Sequence, residues 1–545
     1  MTRNIVLCAD GTGSKGGYTP DSNVYKTYHA IDIHDNDIEQ ITFYDNGVGS
    51  SSNKILRAIA GAFGFGFERN VCDLYTFLSK NYNSEQDKVY LFGFSRGAAT
   101  IRALNGFIYD CGLLDARNET SDRKLKAQVK NLIGAYKSRK AQLKRQGKTT
   151  SRPIPLDESV KGISLERRDI KIEFIGAWDT VAALGMPKKT DVTGPISWLI
   201  DNTLQGLDNL LNHFFHYRNY KLQLTPNVKQ AFQALSIDDA RTSFWPRIWN
   251  ELDETIVQAK VTVEQVWFTG SHTDVGGGYN RRGITNVPLL WILEKATQAG
   301  LKLINGSLDS IRAAANAHDI MHDSRSGLGM FYRYHPREIH SLCHNEKNQK
   351  PMMEHIKIHE AVLSRMHYRT AGYAPILLPN TFQVVNNQAQ PLKPIDVSSN
   401  QSWHTSTRSI QYCIELLKEL YILQLLIVIA IVGYAEYLNQ YCTEPAALLH
   451  GWRAWIAEGT KWLLPDFFNK AVDHWLTHSA IFFTSITVIT GWIGLQITTN
   501  VRMIKHAENK RLIIRDEYQC SQTSNSLTSN SLTSNSLTSN SLTSK

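Results

Sequence analysis

Ser95 lies in a sequence context typical of a catalytic serine. Residues 87–99 read DKVYLFGFSRGAA, an apolar strand pattern that runs into a G-x-S-x-G pentapeptide and then a helix. This turn is tight, so a side chain at Gly93 or Gly97 would collide with neighbouring backbone. The helix directs its first NH groups at the serine, and the Arg96 NH can stabilise an oxyanion. The pentapeptide alone is as often a surface turn, but its strand and helix flanks favour a nucleophile.

A second and a third segment supply the partners that a serine nucleophile needs. A serine hydroxyl reacts only when a histidine takes its proton, and that histidine needs a carboxylate to stabilise the imidazolium. Residues 170–182 (IKIEFIGAWDTVA) and 264–279 (EQVWFTGSHTDVGGGY) each combine a strand pattern with a polar exit turn. These turns carry Asp179 and His272. The order Ser, acid, His therefore predicts a catalytic triad at the ends of three strands.

Other residues compete for the same roles. The sequence has 18 histidines, and His322, in MHDS, is the alternative base. Asp274 is the alternative acid, although its carboxylate can instead hold the glycine loop 276–278, and Asp179 can be a turn cap. Asp10 and Asp274 leave calcium binding open. We predict neither a metal site nor a cofactor, because no ligand cluster has convincing spacing and triad chemistry requires none.

The loop after the first strand pattern is the expected source of a second oxyanion donor. Residues 10–13 read DGTG, and the glycines let the backbone NH groups of Gly11 and Thr12 approach a ligand closely. This loop is a weak match to a nucleotide site, because no Lys-Ser/Thr pair completes a phosphate-binding signature.

The elements that must position these residues alternate along the first 395 residues. Short strand patterns and longer helical patterns predict an α/β fold with a mostly parallel sheet and helices on both faces, in one catalytic domain, 1–395. The predicted strands are Ile5–Ala9, Ile41–Tyr44, Val89–Gly93, Ile170–Ile175 and Gln265–Phe268. Several end in a polar or glycine-rich turn, at the sheet edge where such folds bind ligands. The whole pattern is that of an α/β-hydrolase-like fold.

The chain changes character after residue 400. Two uncharged apolar segments, Leu420–Ala435 and Ser479–Val501, predict a C-terminal α-helical membrane hairpin within residues 396–515. A buried core helix is the alternative, above all for the shorter first segment. Tryptophans at positions 452, 455, 462 and 475 suit a membrane interface. The Thr-Ser-Asn-Ser-Leu repeats predict a disordered tail, 516–545.

Charge and targeting signals bear on location. The net charge of +9 favours anionic surfaces, and residues 123–148 hold ten Lys or Arg and no acid, typical of a solvated helix or a membrane-facing one. Interleaved aromatic residues are lacking in this run, so no nucleic-acid partner is expected.

Basic residues after the second span place the tail, and hence the catalytic domain, in the cytoplasm. Seven scattered cysteines indicate a reduced protein, and any secretion would proceed without a signal peptide.

Eight segments resemble, in the same order, the catalytic domain of the type VI secretion phospholipase effectors and their uncharacterised α/β-hydrolase relatives. They are CADGTG, NVYK, DLYTFLSKNY, VYLFGFSRGAATIRAL, GAWDTVAALG, ALSIDDARTSFWP, VWFTGSHTDVGGGY and HEAVLSRM, and they span residues 4 to about 380. The resemblance implies Ser95, Asp179 and His272 as the triad, hydrolysis of phospholipid acyl esters, and a separate membrane-contacting part. The sequence departs from the family's pattern at Ala99, where an aromatic residue is more usual, at HEAV in place of HESV, and after residue 400.

These observations together predict a membrane-associated serine hydrolase of the phospholipase A type, an antibacterial effector or membrane-targeting toxin. The expected partners are a phospholipid membrane, a secretion-machine carrier and an immunity protein. An apolar stripe within 195–215 is either core or a lid over the lipid pocket. The alternatives are a membrane-anchored carboxylesterase or thioesterase with a soluble substrate, and a non-enzymatic membrane-perturbing protein that acts through its two spans.

Overall fold

The computed structural model of the chain describes most of its length, and its described residues fall into two units. Those residues are 3–12, 14, 16–17, 20–47, 66–116, 121–146, 165–166, 170–181, 222–327, 329, 332, 334–346, 348–387, 391–441 and 449–539, with side chains as far as Gln519 in the last helix. The first unit comprises residues 1–332, 336–400 and 511–545, and the second comprises 333–335 and 401–510.

A nine-stranded sheet forms the centre of the first unit. Its strands are β1 (Arg3–Ala9), β2 (Glu39–Asp45), β3 (Lys88–Phe94), β6 (Ile172–Trp178), β7 (Val228–Ser236), β8 (Thr262–Phe268), β9 (Lys357–His359), β10 (Thr381–Val385) and β11 (Pro391–Asp396), while β4 (Leu113–Leu114) and β5 (Leu165–Glu166) form a separate antiparallel pair. The order across the sheet is β11-β10-β9-β8-β7-β6-β3-β1-β2. Every neighbouring pair is parallel except β10 and β11.

Helices cover both faces of this sheet. The described helices of the unit are α1 (Asn23–Ala30), α2 (Phe67–Asn81), α3 (Arg96–Cys111), α4 (Asp122–Arg145), α5 (Glu254–Gln258), α6 (His272–Gly276), α7 (Gly283–Gln298), α8 (Ser307–Ala314), α9 (Ile339–Leu342) and α10 (Glu360–His367). Because side chains alternate along a strand, β1 sends Ile5 and Leu7 into one core with α2, α3 and α4, and Val6 and Cys8 into another with α1 and α7. Burial on both faces explains the nearly continuous apolar runs of the central strands.

Two long helices dominate the second unit. They are α11 (Gln401–Tyr441) and the part of α14 (Ser479–Ser539) up to residue 510, with α12 (Trp452–Leu463) and α13 (Asn469–Thr477) between them. By length and composition alone, α11 and the 479–519 part of α14 are apolar enough to cross a membrane. The Asn509 amide of α14 donates to the hydroxyls of Ser402 (3.0 Å) and Ser406 (2.9 Å) of α11, which ties the two helices together.

The predicted fold class is confirmed, because the sheet is mostly parallel and helices cover both of its faces. All five predicted strands overlap observed ones, whereas β7 and β9–β11 were not predicted. The predicted disorder of the repeat tail, 516–545, stays a prediction; the described backbone of α14 extends to Ser539.

Candidate active site

The strand order of the sheet creates a crevice at the carboxyl end of β1. The chain passes from β1 to β2 on one side of β1 and then returns to β3 on the other side. Parallel sheets bind ligands where the strand order reverses in this way. Asp10 and Gly11 follow β1 directly, and Ser95 follows β3. Asp179 follows β6, and His272 begins α6 after β8. Four strand ends therefore bring these residues to one edge of the sheet.

Ser95 occupies a strained turn between β3 and α3. Its backbone angles, φ 57° and ψ −120°, are unusual for a residue with a side chain. A Cβ on Gly93 would lie 2.7 Å from the backbone N of Ala98, and one on Gly97 would lie 2.0 Å from the carbonyl oxygen of Ala9. Both positions therefore require glycine, because the backbone itself fills the space that a side chain would need.

The three predicted triad side chains lie within hydrogen-bonding distance in one line. His272 Nε2 is 2.8 Å from Ser95 Oγ, and His272 Nδ1 is 2.5 Å from Asp179 Oδ2. All three residues are buried. With Nδ1–H donated to the carboxylate, Nε2 carries a lone pair that can accept the serine proton.

The two alternative residues lie together, in contact with one another. His322 Nδ1 is 2.7 Å from Asp274 Oδ1, and the ring of Tyr279 stacks on the His322 ring with 3.8 Å between centroids. The other carboxylate oxygen of Asp274 accepts from the backbone NH and hydroxyl of Ser271, which caps α6. Asp274 thus caps the helix that carries His272, rather than holding the glycine loop that follows.

Asp179 is held by donors on both of its oxygens. Its Oδ1 accepts from the backbone NH of Ser236 at 3.0 Å, and Arg337 donates to Oδ1 at 2.6 Å and to Oδ2 at 2.7 Å. Burial would raise the pKa of Asp179, but the charge and hydrogen bonds of Arg337, followed by those of His272, lower the pKa well below its usual range. Asp179 is therefore ionised in the folded protein.

His272 is enclosed by two aromatic rings and a second carboxylate. Its ring lies 4.7 Å from that of Phe94 and 5.0 Å from that of Phe244, centroid to centroid. Its backbone NH donates to Asp239 Oδ2 at 3.1 Å. Burial lowers the pKa of His272 below 6.5, and the opposing effect of Asp179 is smaller. The imidazole is consequently neutral at pH 7 and able to act as a base.

The loop after β1 lies against the serine, but one of its two predicted oxyanion donors is already used. A Cβ on Gly11 would be 3.3 Å from the Cβ of Ser95, which shows how closely the loop approaches. The Gly11 NH donates to Asp10 Oδ1 at 2.6 Å. Thr12 therefore remains the candidate donor of this loop, and the Arg96 NH at the start of the 16-residue helix α3 is the other candidate.

Asp10 is a structural anchor for the same loop. Its Oδ2 accepts hydrogen bonds from the hydroxyls of Ser22 (2.5 Å) and Tyr44 (2.6 Å), so the N-cap residue of α1 and a side chain of β2 are joined to the end of β1. These donors already occupy the oxygens that a calcium ion at Asp10 would need. Within the described part of the chain, no group of three or more His, Cys, Asp or Glu side chains could hold a metal ion.

The apolar stripe at 195–215, proposed as core or lid, lies outside the described residues.

The basic run forms α4, whose apolar face is buried through Leu125, Val129 and Leu132. Lys126 of this helix pairs with Asp73 of α2 at 2.7 Å, and Lys137 pairs with Glu68. Part of its charge is therefore neutralised within the protein.

A mostly parallel sheet with helices on both faces, and with serine, aspartate and histidine after three of its strands in that chain order, is the architecture of the α/β-hydrolases. Residues 3–295, more than half of the chain, match the family described as "T6SS, Phospholipase effector Tle1-like, catalytic domain". The chain belongs to this family of type VI secretion phospholipase effectors.

Individual relatives match part of the chain. The uncharacterized protein YEL023C of Saccharomyces cerevisiae is 30% identical over 197 residues, which cover 34% of this chain and 27% of that protein. An uncharacterized protein from Pseudomonas aeruginosa is similar at 16% identity and a TM-score of 0.29, over 58% of this chain and 49% of its own. A Tle1 effector bound to the VgrG spike of the type 6 secretion system has 16% identity and a TM-score of 0.26, over 52% of each chain. The chain thus spans about half or less of each of these relatives.

Proposed function

We propose that this protein is a serine phospholipase of the A type, which cleaves acyl esters of membrane phospholipids through Ser95, His272 and Asp179. The observation that carries the proposal is the continuous line of hydrogen bonds from the serine hydroxyl through the imidazole to the carboxylate, at 2.8 and 2.5 Å. Membership of the phospholipase effector family supports a lipid substrate in preference to a soluble ester or thioester.

The geometry supports a two-step acyl transfer. Ser95 Oγ attacks the ester carbonyl while His272 Nε2 takes its proton, and Asp179 stabilises the imidazolium that forms. The NH groups of Arg96 and Thr12 stabilise the oxyanion of the tetrahedral intermediate. Collapse of that intermediate releases the lysophospholipid alcohol with the proton from His272. A water molecule, deprotonated by the same imidazole, then attacks the acyl-serine and releases the fatty acid.

Hydrolysis of defined lipid vesicles tests this proposal. The full chain is incubated with phosphatidylethanolamine or phosphatidylglycerol vesicles, and fatty acid and lysophospholipid are identified by mass spectrometry. We expect equimolar release of both products, and a fall in kcat of about 10⁶-fold in Ser95→Ala. Ser310→Ala, which changes an exposed serine of α8, is the matched control and keeps full activity.

The outcomes separate the competing functions. Cleavage of short soluble esters without release from vesicles would support a carboxylesterase or thioesterase. Toxicity that persists in Ser95→Ala and His272→Ala but disappears when residues 415–505 are deleted would support a non-enzymatic membrane-perturbing protein. Either result contradicts the phospholipase proposal.

We further propose that α11 and α14 span a membrane as a hairpin. The apolar side chains of these helices are largely exposed, for example Ile429 (66%) and Ile497 (57%), as expected for surfaces that face lipid. Basic residues beyond the second span favour a cytoplasmic tail, and two spans return the chain to the side of the catalytic unit. A reporter enzyme fused to the C-terminus would reveal the side on which the tail lies.

Family membership also supports delivery by a secretion machine. In a solved complex, a Tle1 effector is bound to a VgrG spike. We propose a carrier of this kind, and an immunity protein in the producing cell, as partners of this chain. Co-purification with a spike protein from the same genome tests the carrier, and protection of the producing cell by a neighbouring gene product tests the immunity protein.

A further inference from the structure

A buried guanidinium joins the proposed triad from a segment beyond the residues that match the family. Arg337 lies 158 residues after Asp179 in the chain and outside the matched range 3–295, yet its side chain is fully buried against the carboxylate. Its two terminal nitrogens reach the two carboxylate oxygens at 2.6 and 2.7 Å. This two-pronged geometry fixes the orientation of a carboxylate as well as its charge.

The same guanidinium also donates to two backbone carbonyl oxygens near the acid and the base. Arg337 Nη1 donates to the carbonyl oxygen of Ser236 at 2.6 Å, and Nη2 donates to that of Phe244 at 2.5 Å. Ser236 supplies the backbone NH that binds Asp179, and the ring of Phe244 packs edge-on against that of His272. Arg337 therefore contacts Asp179 directly. It also holds the backbone of Ser236, which binds Asp179, and of Phe244, which packs on His272.

We propose that Arg337 is a positioning residue for the reaction, which keeps Asp179 ionised and aligned so that His272 can act as a base. This inference rests on the proposed function. An ionised carboxylate buried without a cationic partner is strongly disfavoured, so a neutral residue at 337 would favour the protonated acid. A protonated Asp179 cannot stabilise the imidazolium, and hydrolysis would then require a higher pH.

Other charged groups also face this cluster. Asp239 and Arg241 form an ion pair at 2.6 Å beside His272, and Asp238 lies close enough to interact with Arg337. Burial raises the pKa of Asp238 to about 7, so its titration overlaps the pH range of interest. A control must therefore disturb Asp238 without touching the triad.

The experiment compares three variants of the full chain: Arg337→Met, Arg337→Lys and the control Arg365→Met. Arg365 is as buried as Arg337 and lies near Asp238, but it donates to the carbonyl oxygens of Ala317 and Asp319 and not to Asp179. For each protein, kcat/KM for a short soluble ester and the rate of fluorophosphonate labelling of Ser95 are measured from pH 5 to 10. Thermal unfolding gives the folded fraction.

We expect Arg337→Met to lower kcat/KM at pH 7 by about 10²- to 10⁴-fold. The upper value is the effect of replacing the charged acid of a triad by a neutral residue. The acidic limb of its pH profile, where kcat/KM falls as the pH is lowered, should move to higher pH. Its activity should be partly recovered in alkaline buffer. Arg337→Lys keeps a positive charge and loses the two-pronged contact, so it should lower kcat while the acidic limb stays in place. Arg365→Met should have the same acidic limb as the wild type, even if the variant is less stable to heat.

The results that would overturn the inference are distinct from failure of the proposed function. Wild-type protein that neither cleaves esters nor labels at Ser95 overturns both. An active wild type, with Arg337→Met folded and its pH limb unchanged, overturns only the role of Arg337. If Arg337→Met does not fold, Arg337→Lys decides, because a folded lysine variant with unaltered kcat means that the contact with Asp179 has no role in positioning.

Discussion

At the scale of single residues, two opposing effects set the protonation of His272. Burial disfavours the charged imidazolium and lowers its pKa, whereas the hydrogen bond and charge of Asp179 raise it by less. A general base must be neutral before it can take a proton, so activity is lost as the pH falls through this pKa. Because the pKa lies below 6.5, the imidazole is ready to act throughout the neutral range.

The acidic limb of kcat/KM for a soluble ester is therefore expected to have its midpoint below pH 6.5. In Asp179→Asn the charge of Asp179 and the hydrogen bond to its carboxylate no longer raise the pKa of His272. The remaining activity, about 10⁴-fold lower, should therefore have its acidic limb at still lower pH. Asp309→Asn, at an exposed aspartate of α8, is the control and should leave both rate and limb unchanged. A wild-type midpoint above 6.5 would contradict the assignment of His272 as the base.

At the scale of elements, the approach of α3 to β1 sets the geometry around the serine. A Cβ on Gly97 would lie 2.0 Å from the carbonyl oxygen of Ala9 and 2.6 Å from that of Asp10. These are backbone atoms of a central strand and its exit loop, so they cannot move aside as a flexible side chain would. The contact requires a glycine for steric reasons, independently of any role in catalysis.

We expect Gly97→Ala to destabilise the fold by about 3 kcal/mol or more, because overpacking against fixed backbone forces the helix away from the strand. Gly134→Ala is the matched control. Gly134 lies within α4 with nothing inside 4 Å of its missing Cβ, so alanine should stabilise by about 0.5–1 kcal/mol through helix propensity. Denaturant unfolding of both variants measures the difference. Equal stability of the two proteins would contradict the close packing of α3 on β1.

The predicted elements illustrate what local patterns can identify. Strands β3 and β8 were predicted because apolar runs lead directly into a glycine-containing turn, and α3 was predicted because it follows the elbow. Strand β7 has glutamines at positions 230 and 233, where the side chains are half-buried or hydrogen-bonded inside the fold, so no apolar run marks it. Strand β9 has only three residues, too few for any periodicity.

Arg337 was not predicted, for a related reason. It stands in YHPREI, a segment without regular periodicity, and its partner lies 158 residues away. The sequence motifs indicate nucleophile, base and acid because each follows a strand and has a required residue type. An arginine that neutralises a buried acid can come from any segment that the fold brings next to the acid. Neither spacing nor composition in the sequence therefore identifies it.

At the scale of the whole molecule, the two units offer different surfaces to a membrane. The basic helix α4 seemed suited to anionic lipid by composition, but Lys126 and Lys137 pair with acids of α2. In the second unit, Trp455 (79%) and Trp462 (86%) are exposed on α12, between two helices with exposed apolar side chains. Exposed tryptophans beside apolar helices are typical of the membrane interface. The second unit is therefore the better candidate for membrane contact.

Lysines placed at the centres of the two proposed spans should separate membrane binding from catalysis. Ile429 and Ile489 are exposed at 66% and 46%, so Ile429→Lys/Ile489→Lys leaves the packing inside the protein unchanged. A lysine at the middle of a span costs about 3 kcal/mol of insertion free energy. We expect a large fall in the alkali-resistant membrane fraction, with hydrolysis of a short ester in detergent retained. Ile304→Lys/Ile320→Lys, at isoleucines of the catalytic unit that are exposed at 47% and 49%, should change neither. If the span variant stays in the membrane fraction, α11 and α14 do not cross the bilayer; if it loses ester hydrolysis as well, the two units are not functionally separable.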